Sequence, residues 1–391
     1  MKVWIRTYGC RANQYDSEQV RAMVEGSGHT IVESASEADL AVFNSCAVTA
    51  DAVADLRQGV RRAARENPGL RSVIMGCASA IDDGLQSLPT VERLVAGGEP
   101  HEIARAIGVE RLAPAGSQSG ARALLRIQDG FDEHCTFCAT TLARGANRSR
   151  PISELIDEAE VLSDRHAEIV VTGIHIGTYG RDVGSSLGEL MTEMIGEVPS
   201  SRFRLTSIEA TEVDATLLDL MARRPERLVP HIHAPLQSGS DRVLKRMGRH
   251  WYTAASYATA IERMAERLPV FGLGADIITG FPGETEEDHA ATVALVDALP
   301  FTYLHVFPYS ERPGTAALRL GDRVQSSVAQ RRAKELRAIG ERKAAAYAGT
   351  RAGQEADVIV VGRGRGLTED YLEIDVAGLG RGERARIRLS S

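Results

Sequence analysis

The strongest constraint on the fold is an alternation of strands and helices that occurs twice along the chain. In the N-terminal third, the apolar patterns predict strands at residues 2–7, 40–44, 71–75 and 91–95, and helices at 17–25 and 50–67. This βαβ order is typical of a parallel sheet with helices on both faces. The sequence therefore predicts an α/β N-terminal domain, residues 1–112, built on an open parallel sheet.

The second alternation follows a small, polar stretch at residues 114–120, which is typical of a linker. Strands are predicted at 123–128, 168–172, 202–206, 231–235, 272–277 and 303–307, with the clearest helices at 152–164 and 284–299. Six βα units favour a partial or complete parallel barrel, whose active site belongs at the carboxyl ends of the strands. We assign this (β/α)6 unit to residues 119–335.

The last segment, residues 336–391, has a different pattern. A basic helix is predicted over 326–348, and strands at 358–362, 371–376 and 384–389 indicate a small antiparallel β-barrel. Six arginines lie in its loops and last strand: Arg363, Arg365, Arg381, Arg384, Arg386 and Arg388. Such a face is typical of RNA binding. Nearby acidic residues offset much of the charge, so a solvated surface is the alternative.

Composition narrows the class of protein. Apolar residues make up 43% of the chain and charged residues 25%, as in ordinary globular proteins. The formal net charge of -7 argues against a uniformly basic nucleic-acid binder, so RNA contact must come from local patches. The sequence has no run of about 18 apolar residues, as a transmembrane helix would need. Its first residues also lack the charged segment followed by an apolar stretch that is typical of a signal peptide. We therefore expect a cytoplasmic protein with no membrane partner.

Three of the five cysteines, Cys10, Cys46 and Cys77, each come just after a predicted strand. The ligand crevice of an open parallel sheet lies beyond the carboxyl ends of its strands, so these thiols are expected to converge on one site. An odd number of cysteines in a reducing compartment favours metal or redox chemistry over disulfides. A scattered cysteine can also be a small buried hydrophobic residue, and that interpretation stays open for each one.

The other two cysteines, Cys135 and Cys138, form a C-x-x-C pair after the first strand of the second series. Thiolates at this spacing can face one metal ion or iron–sulfur cluster. A third cysteine four residues upstream would complete a cluster-binding loop. That position holds Phe131.

Long motifs in the same order resemble those of the radical S-adenosylmethionine (SAM) methylthiotransferases over nearly the whole chain. The matching runs are 8–18 (YGCRANQYDSE), 44–49 (NSCAVT), 76–77, 231–240 (HIHAPLQSGS), 280–285 (GFPGET) and 307–315 (FPYSERPGT). The C-terminal barrel resembles the family's RNA-binding TRAM domain. Residues 135–138, 144–151 and 172–180 are similar to the branch that acts on N6-threonylcarbamoyladenosine in tRNA. Sister branches modify isopentenyladenosine in tRNA or an aspartate in a ribosomal protein.

The resemblance implies two [4Fe–4S] clusters. An auxiliary cluster on Cys10, Cys46 and Cys77 would carry the sulfur that becomes the methylthio group. A second cluster, on three cysteines of which Cys135 and Cys138 are two, would bind SAM. One electron, from a donor such as a flavodoxin or ferredoxin, would then cleave SAM to a 5′-deoxyadenosyl radical. The implied reaction adds sulfur to carbon 2 of the adenine beside the anticodon, in the anticodon stem-loop of tRNA.

The resemblance also implies residues that contact SAM. By position, Phe137 packs on the SAM adenine, Glu209 lies near its ribose and Gln237 lines the cavity. No catalytic side chain is assigned.

The chain departs from the family at Phe131, where the family has the third cluster cysteine, while residues 128–130 and Asp132 still match. A phenyl ring cannot ligate iron, so we expect the SAM cluster to be weakened or absent and radical cleavage to be lost. Asp132, Glu133 or His134 as a substitute ligand is the alternative, which the loop geometry disfavours. Two hypotheses of function follow. The chain is a methylthiotransferase of this branch or a sister branch, with impaired activity, or it is a non-catalytic tRNA-binding relic.

Overall fold

The computed structural model describes residues 1–47, 50–97, 100–109 and 118–390. The first group of elements comprises β1 (Lys2–Thr7), α1 (Arg11–Gly26), β2 (Thr30–Ile31), β3 (Leu40–Ser45), α2 (Ala50–Glu66), β4 (Arg71–Gly76), β5 (Val91–Ala96) and α3 (Pro100–Ile107). All five strands are parallel, in the order β2-β1-β3-β4-β5. The predicted parallel sheet is confirmed.

Helices cover both faces of this sheet because successive side chains of a strand point to opposite faces. Val42 of β3 packs with Val20 and Met23 of α1. The next residue, Phe43, packs with Leu56 of α2 on the other face. Strand β3 is buried along its whole length, and Cys46, which follows it, is buried as well.

The second group contains six parallel strands and the helices between them. Its elements are β6 (Ala123–Arg126), β7 (Gln128–Asp129), α4 (Thr140–Arg144), β8 (Arg148–Ser149), α5 (Ile152–Ser163), β9 (Glu168–Thr172), α6 (Leu187–Glu197), β10 (Arg202–Leu205), α7 (Ala215–Arg223), β11 (His231–His233), α8 (Asp241–Arg246), α9 (Ala254–Arg267), β12 (Gly272–Thr279), α10 (Glu286–Ala298), β13 (Tyr303–Pro308) and α11 (Ser326–Arg351). Strands β6, β9 and β10 form one parallel sheet, and β11, β12 and β13 another. A parallel bridge between Ser207 and His233 joins the two. The six strands thus lie side by side in sequence order.

The third group is an antiparallel sheet of β14 (Glu355–Gly362), β15 (Arg365–Leu367), β16 (Glu373–Asp375) and β17 (Arg384–Arg388). The strand order is β16-β15-β14-β17, with no pairing between β16 and β17 in the described part of the chain. The predicted small barrel is therefore not confirmed. The strand predicted from residue 371 begins at Glu373, because Tyr371 has a φ of 73° and its N–H bonds the carbonyl of Thr368 at 3.1 Å in a turn.

Several further boundaries differ from prediction. Helix α1 begins at Arg11, not at residue 17, because the N–H of Gln14 already bonds the carbonyl of Cys10 at 3.0 Å. The strand predicted at 123–128 ends at Arg126, after which β7 pairs antiparallel with β8. Most of the predicted linker, residues 114–117, lies outside the described residues. Helix α11 runs across the proposed boundary at residue 335.

Buried ion pairs fix the N-terminal sheet to the six-stranded unit. The carboxylate of Asp16 in α1 accepts hydrogen bonds from Arg126 at 2.5 Å and from Arg144 at 2.7 Å, and all three side chains are buried. This contact sets the first turn of α1, and with it Cys10, against the carboxyl ends of the central strands. No helix among the described residues is long and apolar enough to cross a membrane.

Candidate functional site: two cavities at the carboxyl ends of the strands

Cys10, Cys46 and Cys77 follow β1, β3 and β4, which are neighbours in the sheet. A Cβ placed on Gly9 would lie 3.0 Å from the Cβ of Cys46, and the N–H of Cys77 donates to the carbonyl of Ser45 at 2.9 Å. The Cys10 and Cys46 thiols both act electrostatically on Cys77. The structure thus brings the three side chains to one edge of the sheet. Their role as cluster ligands stays a prediction.

A buried cation accompanies these thiols. Burial raises the pKa of Cys77 to about 12, and the Arg144 guanidinium opposes that rise. The Nε of Arg144 has no hydrogen-bond partner among the described residues. Because a cation favours nearby anions, this environment suits a negatively charged thiolate cluster.

The small cavity has a volume of about 170 Å³ and contains the predicted cluster cysteines, Phe131 and the three predicted SAM contacts. It is lined by residues that include Phe131, Cys135, Phe137, Cys138, Glu209, Gln237 and Arg249. Cys135 is buried and Cys138 is half-buried. The predicted cluster pair and the predicted SAM contacts therefore share one cavity.

Glu209 and Arg249 form a buried pair beside Cys135. Arg249 donates hydrogen bonds to the carboxylate of Glu209 and, at 3.3 Å, to the sulfur of Cys135. Burial raises the pKa of Glu209, and Arg249 opposes this rise. The second carboxylate oxygen, Oε2, is buried and has no partner among the described residues. It is an acceptor available to a ligand hydroxyl.

Backbone strain and aromatic packing fix the rest of the small cavity. Gln237 has a φ of 60°, and its N–H donates to the carbonyl of Asp276 at 2.8 Å. A left-handed residue other than glycine is costly and tends to occur at functional sites. The ring of Phe137 contacts Phe281 edge to face, with centroids 6.1 Å apart, so one face of the cavity is rigid and apolar.

Phe131 occupies a loop whose backbone is tightly held. Its N–H donates to the carbonyl of Gly145 at 3.0 Å. The preceding Gly130 has a φ of 67°, and a Cβ there would lie 2.0 Å from the carbonyl oxygen of Ala146. The phenyl ring meets the His175 ring at a centroid distance of 6.0 Å. The side chain at 131 therefore faces the cavity of Cys135 and Cys138 without carrying a ligand atom.

The three polar neighbours of Phe131 do not line the small cavity. Asp132 accepts a hydrogen bond from a backbone N–H at 3.1 Å, and His134 is exposed. Glu133 pairs with His175 at 3.1 Å and with Arg181 at 3.3 Å. None of the three is placed as a substitute ligand.

We expect His175 to make the fold less stable above neutral pH. Its ring nitrogens lie 3.1 Å from the carboxylate of Glu133 and 2.8 Å from that of Glu212. Burial alone would lower the pKa of His175, but the hydrogen bonds with the two carboxylates raise it to about 9. The unfolded value is about 6.5, so the stabilisation is complete below that pH. It is lost as the pH rises through about 9, at a cost on the order of 2–3 kcal/mol.

Urea unfolding at about pH 6 and about pH 9.5 measures this change. The matched variant is His175→Gln, which has no titrating ring and should lose less stability over the same interval. An equal loss in both proteins would assign the pH dependence to other groups.

The large cavity, about 580 Å³, is lined by all three groups of elements. The N-terminal unit contributes Cys10 and Arg11, and the C-terminal sheet contributes Tyr371. The central strands supply most of the rest, including Thr172, Arg204, Ser207, His231, His233, Asp276, Tyr303, His305 and Phe307. Ile174 and Ser207 line both cavities, so the two are adjacent.

Asp276 organises one wall of the large cavity. Its carboxylate lies 3.1 Å from a ring nitrogen of His233 and 3.2 Å from one of His305. The parallel register places Asp276 of β12 directly opposite His305 of β13. The other ring nitrogen of His233 lies 3.1 Å from the hydroxyl of Tyr303. The carboxylate is thus already occupied by two imidazoles.

The loop at residues 280–285 lines neither cavity. Glu284 accepts a hydrogen bond from the N–H of Gly280 at 2.6 Å and pairs with Arg332 at 2.7 Å. These contacts hold the loop to α11, so this motif supports the site from outside.

Sequence reasoning missed Arg11, Arg249, Asp276, His305 and Tyr371. Asp276 and His305 could have been found, because an acidic residue interrupts the mainly apolar β12 and a histidine interrupts the mainly apolar β13. No local signal marks Arg249 or Tyr371, since each reaches its cavity only through tertiary packing.

The comparisons with known proteins fit this geometry. Residues 2–97 match the uncharacterized protein family UPF0004, and residues 127–296 match the Radical SAM superfamily. A solved radical S-adenosylmethionine methyltransferase, TsrM from Kitasatospora setae, with a [4Fe–4S] cluster bound, superposes with a TM-score of 0.61. It is 16% identical, over 81% of this chain and 76% of that one. The cofactors of the superfamily are [4Fe–4S] clusters and SAM.

Curated relatives match over most of their length. Threonylcarbamoyladenosine tRNA methylthiotransferase MtaB of Aquifex aeolicus is 32% identical over 97% of both chains. MtaB of Bacillus subtilis is 35% identical over 88% of this chain and 82% of the relative. A tRNA-2-methylthio-N(6)-dimethylallyladenosine synthase of Chloroherpeton thalassium is 31% identical over 95% and 87%. The chain therefore belongs to the radical SAM methylthiotransferases, a family of enzymes, and within it to the MtaB-like branch.

Proposed function

We propose that this chain is a cytoplasmic tRNA methylthiotransferase. Its substrate is N6-threonylcarbamoyladenosine beside the anticodon, the methylthio group is placed on carbon 2, and Phe131 impairs the radical step. The observation that carries the proposal is the large cavity, where Cys10, the ends of the central strands and Tyr371 meet. A nucleoside held there contacts the N-terminal cysteine edge and adjoins the small cavity.

The N-terminal cysteines fit an iron–sulfur cluster. Three thiols at one sheet edge, with buried Arg144 beside Cys77, provide ligands and a compensating positive charge. A cluster held there would supply the sulfur for the methylthio group. Because Cys10 is exposed and lines the large cavity, the ligand set is open towards the substrate.

The second ligand set does not fit a SAM-binding cluster. Cys135 and Cys138 supply two thiols, and the third position presents the phenyl ring of Phe131 to the same cavity. The remaining lining still suits an adenosine group. Phe137 offers an aromatic surface, Gln237 a polar one, and the unpartnered oxygen of Glu209 an acceptor.

The substrate base has an aromatic partner in the large cavity. Phe307 is 46% exposed, which is unusual for a phenyl ring, and it lines this cavity. Stacking of a base on such a ring is worth about 1–3 kcal/mol. Phe307 therefore supports insertion of a splayed-out adenine.

We assign tRNA contact outside the cavity to a TRAM-like C-terminal unit. Two of its six arginines already have acidic partners: Arg365 bonds Glu373 and Asp375, and Arg384 bonds Asp357. The described contacts give Arg363, Arg381, Arg386 and Arg388 no acidic partner within 4.0 Å. These four are the candidates for phosphate contacts.

The test uses anticodon stem-loop RNAs that differ at one adenosine, which carries threonylcarbamoyl, isopentenyl or no group. The Phe131→Cys variant, reconstituted anaerobically, is expected to methylthiolate the threonylcarbamoyl RNA, as measured by mass spectrometry of the nucleosides. The unaltered chain should bind this RNA but modify little of it. Modification of only the isopentenyl RNA would favour the sister branch. Binding without modification by either protein would favour the non-catalytic relic.

A further inference from the structure

Among the described residues, some of the charged side chains that line the large cavity have a partner of opposite charge, and others do not. Asp276 is the one acidic residue of the described lining, and His233 and His305 already flank it. Arg204, fully buried, pairs with Glu168 at 2.9 Å. Arg11 is the remaining arginine of the lining.

Arg11 has no carboxylate within 4.0 Å among the described residues. It is the first residue of α1, it is half-buried, and its guanidinium donates to the hydroxyl of Tyr371 at 3.0 Å. Burial is the main cause that lowers the pKa of His231, and the charge of Arg11 adds to it. Arg11 therefore presents a positive charge to the large cavity.

Tyr371 is held so that its hydroxyl cannot easily move away. Its φ is 73°, and its ring stacks on His231 at 4.3 Å and on Tyr303 at 5.3 Å. The guanidinium of Arg204 lies 5.4 Å from the same ring. A strained tyrosine that stacks on two rings, and whose hydroxyl accepts from a half-buried arginine, is suited to position that arginine.

We infer that Arg11, oriented by Tyr371, binds the carboxylate of the group on N6 of the substrate adenosine. This inference rests on the proposed function. The threonylcarbamoyl group ends in a carboxylate, whereas the isopentenyl group of the sister substrates is a neutral hydrocarbon. The planar fork of a guanidinium matches a carboxylate with two parallel hydrogen bonds. Arg11 would therefore set the preference between these substrates.

An RNA phosphate is the other anion that Arg11 could meet. A phosphate contact adds affinity to every RNA equally, whereas a contact with the N6 group adds affinity to one RNA alone. The ratio of two dissociation constants therefore separates the two sources.

The experiment measures binding of the reconstituted full-length protein to the three stem-loop RNAs by fluorescence anisotropy. We expect the unaltered chain to prefer the threonylcarbamoyl RNA over the isopentenyl RNA. Arg11→Gln should reduce this preference by about 10- to 100-fold, because a site that binds a polar group discriminates strongly against analogues that lack it. Tyr371→Phe, which keeps the ring but removes the hydroxyl, should reduce it by a smaller factor.

Arg21→Gln is the matched control, because Arg21 lies in the same helix and contacts Glu18 at 3.8 Å on the surface. It removes the same charge and should leave the preference unchanged. Thermal unfolding of each variant verifies that it is folded. Arg11→Lys should restore part of the preference, since it keeps the charge but not the fork.

Three outcomes would overturn the inference in distinguishable ways. If Arg11→Gln keeps the preference, Arg11 does not contact the N6 group. If it weakens binding of all three RNAs equally, Arg11 contacts phosphate. If the unaltered chain shows no preference, the proposed substrate itself is wrong.

Discussion

Replacing Phe131 with cysteine is expected to raise the iron content from about four to about eight atoms per chain after anaerobic reconstitution. The third thiolate would join Cys135 and Cys138, which already line the same cavity. The N–H bond to Gly145 and the tight turn at Gly130 hold the backbone at 131 independently of its side chain. The new sulfur would therefore start from a position in register with the family motif.

Formation of 5′-deoxyadenosine from SAM with dithionite measures the functional consequence. We expect a background rate for the unaltered chain and turnover for Phe131→Cys. Phe131→Ser controls for the removal of the ring, because it opens the same space without adding a thiolate. Its iron content and its rate should stay those of the unaltered chain.

About eight irons in the unaltered chain would contradict this prediction and would require a substitute ligand. Glu133 is one of the two carboxylates that follow Phe131 directly, and its carboxylate is held by His175 and Arg181. A Glu133→Gln variant would test that alternative directly, since it should then lose the second set of irons.

The sequence predicted the elements whose residues follow a local apolar pattern. Strand β9 was predicted without error, and β3 and β12 were placed to within two residues, because buried parallel strands are short apolar runs. The start of α1 was missed because residues 11–16 are mostly polar and lack the apolar spacing typical of a helix. Asp16 is buried there, but its partners lie more than a hundred residues away.

Site residues could be predicted where they are closely spaced in the sequence. They could not be predicted where tertiary packing brings distant residues together. The spacing of Cys135 and Cys138 predicts a pair of ligands, and the sequence also shows that Phe131 occupies the position of the third. Arg249 donates to Cys135 from 114 residues away. Tyr371 enters the large cavity only because the loop before β16 packs on the central strands. No pattern in one segment carries such information.

The large cavity depends on how the three groups of elements are joined, because residues of all three line it. The N-terminal group is fixed through Asp16, and the C-terminal sheet through Arg202 and Arg204 of β10. Arg202 donates to the carbonyl of Asp357 at 2.7 Å, and Arg204 to that of Thr368 at 2.9 Å. The large cavity is thus an interface whose shape depends on buried charges.

Replacing Glu168 with glutamine is expected to lower the free energy of unfolding by about 3–5 kcal/mol, because it leaves the buried guanidinium of Arg204 without a carboxylate partner. The Glu168 side chain is fully buried and lies 2.7 Å from Arg202, 2.9 Å from Arg204 and 3.1 Å from Arg122. Burial would raise the pKa of Glu168, but the three arginines hold it well below its usual range. The carboxylate is therefore charged in the folded protein.

Urea unfolding measures this loss, and Glu226→Gln is its matched control. Glu226 pairs with Arg224 at 2.8 Å, but both side chains are about half exposed, so the control should cost less than about 1 kcal/mol. Adding Arg204→Met to Glu168→Gln removes one of the uncompensated charges and should recover part of the stability. A loss below about 1 kcal/mol for Glu168→Gln would mean that water or a rearranged partner already compensates the arginines.

The same substitution should also affect the large cavity, because Arg204 contacts both Glu168 and the ring of Tyr371. Without the Glu168 carboxylate, the guanidinium of Arg204 loses its ion pair with β9. Its position against the Tyr371 ring, 5.4 Å away, is then less firmly fixed. Tyr371 then orients Arg11 less firmly. The binding is measured without urea, at a temperature where the variant is folded. Under these conditions Glu168→Gln should weaken the preference for the threonylcarbamoyl RNA without removing it. An unchanged preference would show that Tyr371 is held by its stacking on His231 and Tyr303 alone.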